Sequence, residues 1–181
     1  MKLSNATFAG GCFWCIEAAF SSLEGVVKAT SGYSGGTTEN PTYDSICTGQ
    51  TNHAEVVQVS FDATKISYQT LLEVFFTLHD ATQLNRQGND IGTQYRSAIF
   101  YHDELQQQLA MHYVSELATQ AIFDRPIVTQ IEPLSTFYAA EDHHQGYYRQ
   151  NPQESYCAVV ISPKFTKFKE KYKQQLKQKK V

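Results

Sequence analysis

The apolar and polar positions of the chain follow two different periods. Over residues 55–61 every second residue falls on the same, mainly apolar face, and this alternation predicts a half-buried strand. Over residues 12–20 the apolar positions recur at helical spacing, which predicts a helix directly after a short apolar strand that ends at Ala9. Strands and helices are intermixed without regular alternation. This order indicates an α+β fold, a two-layer sandwich of helices on a mixed sheet.

Capping residues and turn-forming residues bound the remaining predicted elements. Ser67 is a predicted N-cap of a helix that runs to about His79, and Asp103 can cap another helix. Residues 34–52 and 80–93 are predicted to be long polar loops, and loops of this length are usually functional or disordered. Further strands are predicted over residues 26–33, 95–101, 127–132 and 156–161.

The length of 181 residues suits a single catalytic domain, 1–181. No apolar run is long enough to span a membrane, and the first residues lack the apolar stretch of a secretory signal. The expected location is therefore the cytoplasm. In that reducing compartment the four cysteines, too few for a disulfide scaffold, are expected to be catalytic or metal-binding thiols.

Charge is distributed unevenly along the chain. The net charge is −3, but residues 164–181 contain eight lysines and one glutamate, so the rest of the chain is acidic. An acidic body argues against a nucleic-acid enzyme. Phe165, Phe168, Tyr172 and Leu176 recur at helical spacing, which favours a solvated basic C-terminal helix. A tail that touches anionic surfaces is the alternative.

The most informative residue is Cys12. Gly10 and Gly11 permit a tight turn, so Cys12 is expected at the start of the following helix. Unpaired backbone N–H groups and the helix dipole favour a thiolate there. Flanked by Phe13 and Trp14, Cys12 is a candidate nucleophile beside an apolar pocket. A buried structural cysteine is the alternative.

Other polar residues are candidates for the same chemistry. Glu55 shares the apolar face of its strand, so burial should raise its pKa and make it a general acid, unless it only caps the strand end in water. Tyr43 and Tyr95 lie on polar loops where phenols can orient a ligand. The adjacent His143 and His144 lack the spacing of a metal pair and the chain has one CxxC, so no metal is expected.

Several blocks in order resemble the A-type peptide methionine sulfoxide reductases. The resemblance covers about residues 7–164 and is carried by Gly11-Cys12-Phe13-Trp14, Gly32-Tyr33-Ser34-Gly35-Gly36, Asn40-Pro41-Thr42-Tyr43, His53-Ala54-Glu55, Arg86-Gln87-Gly88-Asn89-Asp90, Gly92-Thr93-Gln94-Tyr95-Arg96-Ser97-Ala98 and Ala140-Glu141-Asp142-His143-His144-Gln145. The family implies a ferredoxin-like core and reduction of the S epimer of methionine sulfoxide, free or in proteins. It implies thioredoxin as electron donor and no cofactor.

The resemblance also implies the roles of individual residues. Cys12 would be the nucleophile and Glu55 the proton donor, and Cys157 would resolve the oxidised Cys12. Phe13 and Trp14 would form the pocket for the methyl group of the substrate. The sulfoxide oxygen or its water would be held by Tyr43, Asp90 and Tyr95.

Three alternatives stay open from the sequence. Many family members have glycine where this chain has Cys15, so Cys15 competes with Cys157 as the resolving thiol. A thioredoxin-type disulfide oxidoreductase would share the CxxC at a helix start. A redox-sensing module that binds oxidised methionine without turnover is the alternative that is not an enzyme, although binding alone needs no pairing of Cys12 with Glu55.

Overall fold

Eight strands and six α-helices are present in the computed structural model, which describes residues 1–178; the last three residues of the predicted basic tail lie outside the described residues. The strands are β1 (Leu3–Gly10), β2 (Val26–Ser34), β3 (Ala54–Asp62), β4 (Arg86–Gln87), β5 (Asp90–Ile91), β6 (Ser97–Tyr101), β7 (Gln130–Pro133) and β8 (Tyr138–Ala139). The helices are α1 (Phe13–Ser21), α2 (Tyr43–Cys47), α3 (Tyr68–Leu78), α4 (Glu104–Thr119), α5 (Tyr147–Gln150) and α6 (Ser162–Lys171).

Six of the strands form one mixed sheet in the order β7-β6-β1-β3-β2-β8. Neighbouring strands are antiparallel except β6 and β7, which are parallel. Phe8 of β1 stacks on Phe20 of α1 and on Phe75 of α3, with ring centroids 5.2 and 5.0 Å apart. The largest buried cluster therefore joins the sheet to these two helices. The predicted α+β fold with a mixed sheet is confirmed.

Predicted capping residues begin the two longest helices. Ser67 accepts a hydrogen bond from the backbone N–H of Thr70 at the start of α3, and Asp103 accepts one from Gln106 at the start of α4. Such bonds satisfy N–H groups that the first helical turn leaves unpaired. A third cap, Thr42, begins the short helix α2 inside the predicted loop 34–52. That loop is therefore partly helical.

The strand predicted over residues 156–161 is wrong. Cys157–Ile161 form a π-helical turn that continues into α6. Glu154 accepts hydrogen bonds from the N–H groups of Tyr156 and Cys157, so the segment begins as a helix does. Cys157 and Ile161 are buried while Val159 is 72% exposed, a one-sided burial at helical spacing. A short apolar run does not distinguish this pattern from a buried strand.

Other predicted boundaries differ by a few residues. The predicted loop 80–93 contains the small β4–β5 hairpin, and Tyr95 lies in a 3₁₀ turn before β6 rather than in the strand. The C-terminal helix ends at Lys171, and Leu176 instead forms a β-bridge with Leu23. Within residues 1–178, no helix has both the length and the apolar character needed to cross a bilayer.

Candidate active site

The turn between β1 and α1 brings Cys12 to the helix start, as predicted. Gly11 has a φ of +97°, and a Cβ added there would lie 2.8 Å from the Gln87 side chain. Only glycine therefore fits this turn without strain. Cys12 is the N-cap residue of α1, its thiol makes no capping hydrogen bond, and its side chain is half-buried.

Glu55 of β3 lies directly beside this turn. Its Oε1 accepts a hydrogen bond of 3.2 Å from the backbone N–H of Phe13, and the residue is 2% exposed. Burial raises the pKa of Glu55 from 4.5 to about 8; the Phe13 N–H opposes this shift and the nearby Asp90 adds to it. The predicted desolvation is confirmed, and Glu55 is mostly protonated at neutral pH.

The thiolate predicted at Cys12 is not the favoured form in this structure. Burial and the charge of Glu55 raise the pKa of Cys12 well above its usual value, and only the backbone N–H of Trp14 lowers it. The helix start thus acts in the predicted direction, but desolvation and a neighbouring carboxylate outweigh it. Cys12 and Glu55 are close enough for their proton equilibria to be coupled.

Aromatic side chains form a cluster beside the turn that holds Cys12. Trp14 stacks on Tyr147 with ring centroids 3.9 Å apart, and its indole N–H donates a 3.1 Å hydrogen bond to His144 Nδ1. The Phe13 ring lies 6.4 Å from the Tyr43 ring, and Tyr43 lies 4.2 Å from His144. Phe13 and Trp14 therefore belong to one aromatic cluster with Tyr43, together with His144 and Tyr147, two residues that sequence reasoning did not place there.

Two phenols face Glu55 from other elements. Burial, followed by the charge of Glu55, raises the pKa of both Tyr43 and Tyr95, so both hydroxyls stay protonated and can donate. Tyr43 is fixed through its backbone N–H, which donates a 3.0 Å hydrogen bond to Glu141 Oε2. Glu141 Oε1 accepts a second 3.0 Å bond from the Tyr33 hydroxyl. Glu141, part of one of the blocks that carry the family resemblance, thus joins Tyr33 to the backbone of Tyr43.

A cavity of about 180 Å³ beside Cys12 is also lined by Asp90 and Tyr156. The Tyr156 hydroxyl donates a hydrogen bond to Asp90, and its ring meets the edge of Trp14 with centroids 6.0 Å apart. Sequence reasoning missed Tyr156. Its position directly before Cys157 was the available signal.

The remaining thiols differ in their surroundings. Cys157 is fully buried in an apolar cluster that also contains Cys15 and Ile161. Burial raises the pKa of Cys15 and of Cys157 to about 11. Cys15 lines the same cavity as Cys12. Cys47 at the end of α2 is exposed, and all four cysteines are free.

A thiol at a helix start, a protonated carboxyl beside it and an adjoining aromatic cluster are the features of a thiol-based oxidoreductase site. The model of the family Peptide methionine sulfoxide reductase matches residues 4–177. The chain belongs to this family, which confirms the resemblance found in the sequence. It is an oxidoreductase that reduces methionine sulfoxide in a thiol-dependent reaction.

Individual relatives agree with this membership. The peptide methionine sulfoxide reductase MsrA of Pasteurella multocida is 59% identical over 170 residues, which cover 94% of this chain and 97% of the relative. The reduced form of Mxr1 from Saccharomyces cerevisiae has a TM-score of 0.81 and 37% identity, and the match covers 86% of this chain and 90% of Mxr1. Mxr1 in complex with Trx2 has a TM-score of 0.57 and 28% identity, with 81% and 85% covered.

Proposed function

We propose that Cys12 is the nucleophile and Glu55 the proton donor in the reduction of the S epimer of methionine sulfoxide, free or in proteins. The observation that carries this proposal is the position of a protonated, buried carboxyl beside the turn that holds the half-buried Cys12. A sulfoxide oxygen leaves only after it is protonated, so a neutral acid near the attacked sulfur is the group that the chemistry requires.

In the first step, electrons and atoms balance without a cofactor. The Cys12 thiol loses its proton to solvent, and its sulfur attacks the sulfoxide sulfur while Glu55 gives its proton to the oxygen. The resulting hydroxyl then moves from the substrate sulfur to the Cys12 sulfur as the sulfur–sulfur bond formed in the attack breaks, and Glu55 regains a proton from solvent. The substrate sulfur gains two electrons and is released as the thioether of methionine. Cys12 loses two electrons and keeps the oxygen as a sulfenic acid.

The pocket walls fit the two ends of the sulfoxide. In the proposed pose, the aromatic cluster of Phe13 and Trp14 takes the methyl group. Tyr43 and Tyr95, which face Glu55, and Asp90, which lines the cavity beside Cys12, hold the oxygen or its water. The sulfoxide sulfur is a stereocentre. An apolar wall and an acid in fixed positions therefore accept one epimer and reject the other.

Cys157 is proposed to resolve the sulfenic acid. Its thiol would displace the oxygen as water and form a disulfide with Cys12, after the buried π-helical turn has opened. Cys15 is the competing thiol because it lines the same cavity as Cys12. We favour Cys157, because Cys15 is held in the first turn of α1, where the helix fixes the direction of its sulfur.

Thioredoxin is the proposed electron donor. Support comes from the similarity to Mxr1, whose structure is known in complex with Trx2. A dithiol donor would reduce the disulfide by thiol–disulfide exchange and restore both thiols. A reducing compartment such as the cytoplasm, where the four free thiols stay reduced, suits this cycle.

The catalytic unit is proposed to be one domain with a ferredoxin-like core. The order β1-α1-β2-β3-α3-β6 along the chain, with the strands arranged β6-β1-β3-β2 in the sheet and all antiparallel, supports this description. The basic C-terminal segment from about residue 164 extends that domain. Because α6 packs on α1, this segment belongs beside the site rather than in a separate module.

The test is dithiothreitol-dependent consumption of racemic methionine sulfoxide, followed by chiral chromatography. The wild type should consume one epimer, and Cys12→Ser should consume neither. Consumption of both epimers at equal rates would contradict the proposed pocket. Reduction of insulin disulfides without sulfoxide turnover would favour the thioredoxin-type alternative. Binding without turnover would favour the redox-sensing module.

A further inference from the structure

A surface groove lies next to the Cys12 cavity. It has a volume of about 510 Å³ and shares Leu78, Gln87 and Lys164 with that cavity as lining residues. Phe168 of α6 lies at the base of the groove, but it is 4% exposed, so the groove is distinguished by its charged side chains. A polypeptide whose side chain enters the Cys12 cavity must leave it along the protein surface. This groove is continuous with the cavity and is therefore a path for such a chain.

One side of the groove is formed by three exposed lysines of α6. Lys164, Lys167 and Lys171 are spaced three and four residues apart, so their side chains project from one face of the helix. Within residues 1–178, none of the three forms an ion pair. Three ammonium groups without carboxylate partners line one side of the path that leads away from Cys12.

Few negative charges oppose these lysines. The groove contains one carboxylate, Asp80, among its described lining residues. That carboxylate accepts hydrogen bonds from the N–H and hydroxyl of Thr82, which lower its pKa and keep it charged. His79 adds no charge at neutral pH, because burial lowers its pKa to about 4. The groove therefore has an excess of positive charge.

The spacing of Lys164, Lys167 and Lys171, the lysine row, determines which residues of a bound peptide lie opposite it. Lys171 is seven positions after Lys164 in the helix, a distance of about 10 Å along the axis. An extended peptide covers this distance in about three residues. Lys164 lies at the cavity itself, so the residues opposite the row are those about two to five positions from the side chain in the cavity.

We propose that this groove binds the substrate polypeptide and favours acidic residues about two to five positions from the methionine sulfoxide. This inference rests on the proposed function, because it places the sulfoxide in the Cys12 cavity. The acidic side chains lie opposite Lys164, Lys167 and Lys171. Free methionine sulfoxide does not reach the lysines, so the groove acts on polypeptide substrates alone.

The test compares peptides in a dithiothreitol-driven assay at low ionic strength. Each peptide contains one methionine sulfoxide and has three aspartates or three lysines at positions two to four, on its N-terminal or C-terminal side. The proteins are the wild type, a groove variant (Lys167→Glu with Lys171→Glu) and a control variant (Lys169→Glu with Lys173→Glu). The control makes the same change of net charge, and its Lys169 projects over the Phe165 ring, away from the groove.

The preference should appear for peptides whose charged residues are on one particular side of the sulfoxide, the side that follows the groove. For these peptides, the wild type should turn over the aspartate peptide with a kcat/KM about three to ten times that of the lysine peptide, as expected for two or three exposed ion pairs. The ratio should fall to about one or reverse in the groove variant, persist in the control variant and disappear near 0.5 M salt. Free methionine sulfoxide should be reduced equally by all three proteins.

Three results would overturn the inference. The groove variant could keep the wild-type ratio, or the control variant could lose it equally, which would mean that bulk charge is responsible. The variant could instead change only the KM for thioredoxin in a coupled assay, which would assign the groove to the donor. If the wild type does not reduce free methionine sulfoxide, the proposed function itself fails, and that result is separate from the peptide ratios.

Discussion

The substitution Glu55→Gln separates the two effects of the buried carboxyl. Glutamine has the same shape, and its amide oxygen can accept the N–H of Phe13 that Glu55 Oε1 accepts in the wild type. The fold should therefore persist. What is lost is the proton that Glu55 would give to the sulfoxide oxygen, together with the negative charge that raises the pKa of Cys12.

The magnitudes follow from the titration of Glu55. With a pKa of about 8, Glu55 is protonated in roughly nine of ten molecules at pH 7. Almost every wild-type molecule therefore has the acid available, and its removal should slow the first step by about 10²–10⁴-fold, the usual contribution of a positioned acid. Above pH 8 the wild-type carboxylate suppresses ionisation of Cys12. The variant lacks this charge, so its Cys12 should ionise at lower pH.

Two measurements test this reasoning, both in a Cys47→Ser background that removes the exposed thiol. Single-turnover formation of methionine gives the rate of the first step. Iodoacetamide alkylation of Cys12 across pH, followed by mass spectrometry, gives the pKa of the thiol. An unchanged single-turnover rate would mean that the proton comes from another group, with Tyr43 or Tyr95 next. An unchanged alkylation profile would refute the coupling between Glu55 and Cys12.

Three further predictions concern the thiols and the dependence on pH. Cys12→Ser should abolish turnover, because a hydroxyl is too weak a nucleophile toward sulfur; a folded variant with substantial activity would exclude Cys12 as the nucleophile. Cys157→Ser should complete the first, stoichiometric reduction but lose thioredoxin-driven cycling, and mass mapping of the oxidised wild type should show a Cys12–Cys157 disulfide; a Cys12–Cys15 disulfide with normal cycling of Cys157→Ser would assign the resolving role to Cys15. Because folding raises the pKa of Glu55 from 4.5 to about 8, the unfolding free energy should fall by up to about 4–5 kcal/mol as pH rises through that range; urea denaturation of Glu55→Gln should lack this loss, and an identical pH slope would contradict it.

Local sequence patterns were sufficient for the first half of the site. A glycine pair, an apolar helical period and a strand with alternating residues predicted the turn that holds Cys12 and the buried face that holds Glu55. These features depend on neighbours within a few residues. The capping roles of Ser67 and Asp103 were predictable for the same reason.

The other half of the site depends on contacts between distant residues. His144 and Tyr147 approach Trp14 from more than a hundred residues away, and no local pattern specifies that approach. The ionisation of Cys12 could not be predicted from its helix position alone, because the opposing carboxylate comes from a different strand. The segment containing Cys157 was assigned the wrong type of structure because six apolar or small residues suit a buried helix as well as a strand.

The π-helical turn over Cys157–Ile161 determines how the C-terminal segment would move in the proposed resolving step. Such a turn contains one residue more than an α-helical turn of the same rise. Moving this extra residue one position along the chain rotates the side chains on one side of it by about 100° about the helix axis. Cys157 could thus leave its buried cluster by a rotation at the N-terminal end of the segment. Meanwhile, Phe168 and Tyr172 would keep their contacts in the core. The segment would therefore rotate about its own axis and would not swing away from the body of the protein.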